Sequence, residues 1–268
     1  MSAASSRAAF LKTNRVARLI AAHPRIAIAF ITALCFAAKI DVGRTAALLE
    51  QTIWSISAID VVNCTIGARG QGLIVIPLVT CALMSLGSSE NDSMSRIVAH
   101  GTRGRYLISR YADAATATCL SSTACFLIWT CTTLQKRNAT FNWNDANAFF
   151  FGQTHTLANT NEACAWTLCF LCPLFCSLTA SLCFVAVETI LESKSLATMS
   201  IVSLCCIAYV SPAVNAYIGL LPDPYALAGG EAAPGSPFLL ASCIALQIAA
   251  IARMKNRDFV HAIRDDLR

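Results

Sequence analysis

Apolar residues gather in six stretches along this chain, at 26–40, 72–87, 114–134, 163–187, 196–221 and 237–252, with polar or basic segments between them. A helix needs about 20 apolar residues to span a hydrocarbon core, with a range of roughly 17 to 25. The third, fourth and fifth stretches reach that length. The first, second and sixth are shorter and must draw on flanking residues such as Lys39 or Arg253, whose long side chains reach back to an interface. The pattern predicts an all-α fold: a polytopic helical membrane protein with six transmembrane helices over 26–252. An amphipathic segment at 1–25 precedes them and a tail at 253–268 follows. In the first segment Phe10, Leu11, Val16, Leu19 and Ile20 alternate with Lys12, Arg15 and Arg18 at near-helical spacing. That is the pattern of a helix lying in the membrane interface, and Pro24 ends it or turns it into the first span.

The stretches between the spans carry further expectations. At 45–59, Ala46, Leu49, Ile53, Ile56 and Ile59 fall roughly on one side, predicting a helix on the outer surface. At 135–162 the chain is Asn-rich and holds Phe141, Trp143 and the run Phe149, Phe150 and Phe151; aromatics there are expected to anchor at the membrane interface. Between the fifth and sixth spans, Pro212, Pro222, Pro224, Gly229, Gly230 and Pro234 break any helix. Irregular backbone at membrane depth survives only when buried in protein or lining a cavity. Pro212 is therefore a candidate for a translocation path, with a plain loop as the alternative. On the first span Ala29, Ala33 and Ala37 recur every four residues, a spacing that lets helices approach closely in lipid.

Charge decides orientation. If the chain starts in the cytoplasm and crosses at each stretch, 15 of the 20 Lys and Arg residues fall on the cytoplasmic side. The remaining five are Lys39, Arg44, Arg69, Lys136 and Arg137. This bias fixes topology in membrane proteins and predicts a multi-pass protein of the plasma membrane with both termini cytoplasmic. The charged fraction is 13% against about 25% in soluble domains, and the mean hydropathy is +0.59. The net charge of +5 then reflects topology and anionic lipid rather than nucleic acid, which would need a basic face on a folded module.

Candidate chemistry is sparse. GxxxxGK[ST], HExxH and GxSxG are all absent from the sequence, and none of the four histidines lies in the middle of a span. The chain itself is not expected to be an enzyme. Charges deep in spans mark ion pathways; those nearest the spans, Asp113, Glu188 and Glu192, sit at inner ends. Asn215 and Gln247 are the neutral polar candidates for a path, and interhelical hydrogen bonding explains them equally well. Of 14 cysteines, Cys169, Cys172, Cys176 and Cys183 share one helix face. A soft-metal path would use such thiols, but no His or carboxylate joins them within the span, so apolar packing is the better reading and no metal site is assigned.

The inner loop at 88–113 is far longer than topology requires. It opens acidic and becomes basic at Arg96, Arg103, Arg105 and Arg110, with Gly101, Gly104 and Tyr106 among them. The run Ala99-His100-Gly101-Thr102-Arg103-Gly104-Arg105-Tyr106 resembles the inner loop of small bacterial ABC-2-type transporter permeases. Gly101, Arg103 and Tyr106 match that motif, Thr102 stands for its Ser and His100 for its aromatic. The order of elements along the chain is similar as well. The resemblance implies a coupling helix seated on a separate cytoplasmic ABC ATPase, which binds ATP and Mg, while this chain holds no cofactor. It also implies a second permease chain, a copy or a relative, and export of a hydrophobic or amphipathic substrate. In that setting Arg96, Arg103, Arg105 and Arg110 would meet the ATPase, Gly101 would permit the turn and Tyr106 would anchor it. The same arginines serve equally well as topogenic charge beside lipid. A polytopic protein that acts by binding (sensor partner, assembly factor or immunity protein) and an ATP-independent transporter are the alternatives.

Overall fold

The computed structural model describes residues 23–66, 72–86, 103–137, 139–158, 160–191, 193–211, 225, 228 and 236–256. A helix covers each of the six apolar stretches, the fifth as far as Val210, and among the described residues two short helices lie between them. Helix α1 is Pro24–Leu49, α2 Ala58–Ile66, α3 Gly72–Leu86, α4 Arg103–Leu134, α5 Phe149–Thr154, α6 Glu162–Leu191, α7 Lys194–Val210 and α8 Ser236–Asn256. Among the described residues the only β feature is an isolated bridge between Ser55 and Ala148. The all-α expectation holds. Two helices, over Tyr106–Leu134 and Glu162–Leu191, are long and apolar enough to cross a membrane, and shorter apolar helices cover Ile74–Ser85, Lys194–Ile207 and Ala241–Arg253. The N-terminal segment, most of the inner loop and most of 212–235 lie outside the described residues.

Local chemistry explains several boundaries. Pro24 opens α1 at the first turn, where its missing N–H has no helical partner to lose. Ser193 caps α7 by accepting from the Leu196 N–H. Ahead of α2, Asp60 reaches back to accept from both the N–H and the hydroxyl of Ser57 at 2.8 and 2.7 Å, the reciprocal half of a capping box.

Helix α6 stands at the centre of the bundle, packed against α2, α3, α4, α7 and α8, while α1 joins through α4 and α2. The outer faces are apolar: Ile28, Ile31, Phe36 and Ile40 on α1, and Ile244, Ile248 and Ile251 on α8, are exposed. The interior is also mainly apolar, with Ile76, Met84, Trp129 and Phe184 buried, and small hydroxyl residues, including Thr80, Ser121, Ser177 and Ser181, are set among them. An apolar outer face with small hydroxyl residues between helices suits hydrocarbon surroundings, where helices associate through small and polar residues rather than by escaping water.

Two expectations are corrected. No surface helix runs over 45–59: the first part continues α1 to Leu49, residues 50–57 are irregular, and α2 then begins and is almost wholly buried. The polar Ser57–Asp60 start is what breaks the apolar periodicity there. Three of the five loop aromatics do not face an interface either, while Phe141 and Phe151 are half-buried. Trp143, Phe149 and Phe150 are buried inside a cap formed by the segments between helices.

Candidate functional site

Three polar centres organise the molecule, and each ties together segments distant in sequence. The first is the cap. Segments 50–57 and 139–158 are laced by backbone bonds: Ser55 N–H to Asn147 O at 2.7 Å, Phe149 N–H to Ser55 O at 2.8 Å and Ala58 N–H to Ala139 O at 2.8 Å. Below them Asp60, fully buried, accepts from four donors. Ser57 supplies two, and Trp143 Nε1 and the Tyr225 hydroxyl bind the other oxygen at 2.8 and 2.9 Å. Burial pushes the Asp60 carboxyl above the ordinary carboxylate range, and the bonds from Ser57, Trp143 and Tyr225 pull it part of the way back. Burial and the neighbouring Asp60 raise Tyr225 well above the usual phenol value, so it stays a donor. Around this centre Trp143 stacks on Phe150 with ring centroids 4.8 Å apart, and Tyr225 meets both rings edge-on or tilted. Such pairs add about 0.5–1.5 kcal/mol each beyond burial.

The second centre lies at mid-bundle. Thr80 of α3, Ser121 of α4 and Ser177 of α6 form a closed triangle of hydroxyls, with Thr80 at 2.9 Å from Ser121 and 2.8 Å from Ser177. One step along, Thr118 bonds Ser181 at 2.8 Å. Each hydroxyl offers one proton and two lone pairs, so the triangle satisfies itself without water or charge.

The third centre lies where α4 begins and α6 ends. Arg110 of α4 is ion-paired with Glu188 of α6 and lies 3.6 Å from Asp113, one turn along its own helix. Arg110 is 3% exposed, with its guanidinium held inside the bundle by these carboxylates. Beside it Tyr111 donates to Gln247 of α8, whose amide donates to the Leu182 carbonyl of α6 at 2.9 Å. Gln247 thus locks three helices together.

Of the other residues expected to matter, Arg103, Arg105 and Tyr106 fall in the first turn of α4. Arg96, Gly101, Pro212 and Asn215 lie outside the described residues. Cys169 and Cys176 are buried as packing residues, while Cys183 turns to a different helix, with its sulfur 3.7 Å from that of Cys243 on α8. Among the described residues no three His, Cys, Asp or Glu side chains are placed to hold a metal ion together. Sequence reasoning missed Asp60 and also Asp41, which accepts from Trp129 Nε1 at 2.9 Å and joins α1 to α4. Ser57-Ala58-Ile59-Asp60 ahead of an apolar run was the legible signal for the first.

No family model, no curated protein and no solved structure matches this chain.

Proposed function

We propose that this chain is the six-span permease subunit of an ATP-driven ABC-2-type transporter. It sits in the bacterial cytoplasmic membrane with both termini inside and exports a hydrophobic or amphipathic substrate. The observation that carries the reading is the continuity of α4. Its 32 residues begin at Arg103 in the basic inner run and end at Leu134 on the other side of the bundle. Seven residues along, Arg110 is locked to Glu188 near the inner end of α6. A push on Arg103, Arg105 and Tyr106 therefore moves α4 and the central helix as one body, which is what a coupling loop seated on an ATPase requires. Arg96 and Gly101 belong to the same loop in this reading, and Arg110 serves as its internal strut. ATP and Mg belong to the partner ATPase. A second permease chain completes the transporter.

The closed hydroxyl triangle favours one other reading. It ties α3, α4 and α6 together at the centre of the bundle, as befits a membrane protein that acts by binding. Purification in mild detergent separates the two. A stoichiometric ATP-hydrolysing subunit is expected to accompany the chain and to be lost in Arg103→Glu/Arg105→Glu while membrane insertion persists. A chain that emerges alone or with a non-ATPase partner sinks the permease reading and leaves the binding reading in its place.

A further inference from the structure

A groove of about 290 Å³ runs between α1 and α4 where both approach the far side of the bundle. Cys35 and Lys39 line it from α1, and Leu127, Ile128 and Cys131 from α4, with Gln135 just past the end of that helix. The volume is near the lower bound of ligand clefts, which run about 300–1,000 Å³. From Leu127 to Gln135 the groove follows α4 for about 12 Å at 1.5 Å per residue, a length that suits a segment of extended acyl chain. Its lining is mostly apolar, and Lys39 is the one charged side chain in it. Lys39 stands at the rim, and the Lys136 ammonium lies one turn further on, against the α1 backbone at Gly43. A Cβ at Gly43 would come within 3.1 Å of that nitrogen, so the glycine makes room for it.

The neighbouring charges leave both ammoniums available. Glu50 is taken by Arg137 at 2.8 Å, and Asp41 faces into the bundle on Trp129. Among the described residues no carboxylate lies within ion-pair distance of Lys39 or Lys136. Two unspent cations over an apolar slot complement one kind of molecule, a phosphate on an acyl chain.

We propose that the α1–α4 groove binds one anionic phospholipid of the far leaflet, with its acyl chain along Leu127, Ile128 and Cys131 and its phosphate between Lys39 and Lys136. The site rests on the membrane-spanning part of the reading above and on nothing about ATP or transport. Its consequence is selectivity. Zwitterionic lipid carries its own cation beside the phosphate and gains less from the two lysines. Basic residues near a membrane surface favour anionic lipid by about 1 kcal/mol each, or about fivefold.

Native mass spectrometry of the full chain, titrated with dioleoylphosphatidylglycerol or dioleoylphosphatidylcholine, tests the site. The first phosphatidylglycerol is expected to bind about 25-fold more tightly than phosphatidylcholine, with Lys39→Ala/Lys136→Ala bringing the ratio to about one. Cys131→Trp keeps both charges but fills the slot, and is expected to weaken both lipids at the first equivalent. Equal binding of the two lipids by the unaltered chain, or an unchanged preference in the double variant, overturns the proposal. So does displacement of phosphatidylglycerol by millimolar inorganic phosphate, which would make the site a headgroup site without a groove. Carbonate extraction of the same membranes separates the two failures. A chain that stays with the membrane but shows no lipid preference loses the lipid site alone, whereas one released by carbonate loses the spanning reading with it.

Discussion

The cap and the bundle core both bury polar groups, with opposite chemistry. In the cap one carboxyl gathers four donors and is walled by stacked aromatic rings. In the bundle core small hydroxyls bond each other and the backbone, as Thr80 does to Ile76 at 2.8 Å. The difference follows from what each region must hold. The cap is made of irregular backbone, whose orientation no helix dictates, so a single strong acceptor fixes three segments at once. The core is made of helices that already satisfy their own backbone, so weak self-satisfying bonds set register without the desolvation cost of a charge. The cap is thus a one-point clasp and the core a distributed seam. Mutations should separate them.

The largest effect is expected at Asp60. Asp60→Ala strands the Trp143 N–H and both the N–H and the hydroxyl of Ser57 in a dry interior, at about 1–3 kcal/mol per donor. A loss of about 5 kcal/mol is expected, read as cap opening through Trp143 fluorescence. Asp60→Asn keeps one acceptor oxygen and should lose about half as much. The two variants also give the pH dependence its sign. Burial raises the Asp60 carboxyl in the folded cap, so its contribution is full below the ordinary carboxylate value and is lost as pH rises through the raised one. The unaltered cap should therefore loosen with rising pH across that window, and Asp60→Asn should show no such slope. A cap that strengthens with pH would place Asp60 below its ordinary value and refute the assignment.

Glu188→Ala comes next. It leaves Arg110 buried beside Asp113 alone, and breaking a buried pair from one side costs about 3–5 kcal/mol. A value of about 3 is expected because Asp113 remains 3.6 Å away. The loss should appear in the unfolding of the helices, with the Trp143 signal of the cap unchanged. Coincident loss of both signals would mean that cap and bundle are one cooperative unit. Gly152→Ala belongs to the cap: the added methyl would come within 2.5 Å of the Trp54 ring. Overpacking of this kind costs about 1–3 kcal/mol, and the melting of the cap should report about 2.

How far the sequence reached depended on which of these regions was read. The helices were legible because apolar runs dominate them, and a helix covers each of the six expected stretches, the fifth as far as Val210 among the described residues. The cap was not, because its core comes from short segments far apart in the chain. Nothing local says that Trp143 and Tyr225 converge on Asp60, and Phe149 and Phe150 read equally well as interface anchors. The inner end was half legible. Arg110 was picked out, but its pairing with Glu188 on another helix was not, although Asp113 sits one turn away on its own helix. The contact of Cys183 with Cys243 joins residues 60 apart on different helices, which helical periodicity along one span cannot reveal.

The smallest expected effect is the one that sharpens the comparison most. Ser177→Ala removes one corner of the hydroxyl triangle and leaves Thr80 and Ser121 still bonded to each other. Interhelical hydrogen bonds in membranes average about 0.6 kcal/mol, so the variant should unfold within about 1 kcal/mol of the unaltered chain. Thr80→Ala and Ser177→Ala combined test the sharing directly. In a self-satisfying triangle the second substitution costs less than the first, because the remaining hydroxyl can turn to a backbone carbonyl, as Ser121 already does toward Thr118 at 3.3 Å. A subadditive double variant is the expected outcome, measured by steric trapping or thermal unfolding in the same detergent. A loss near that of Asp60→Ala would mean that the core also hangs on a single point, and the contrast between clasp and seam would be wrong.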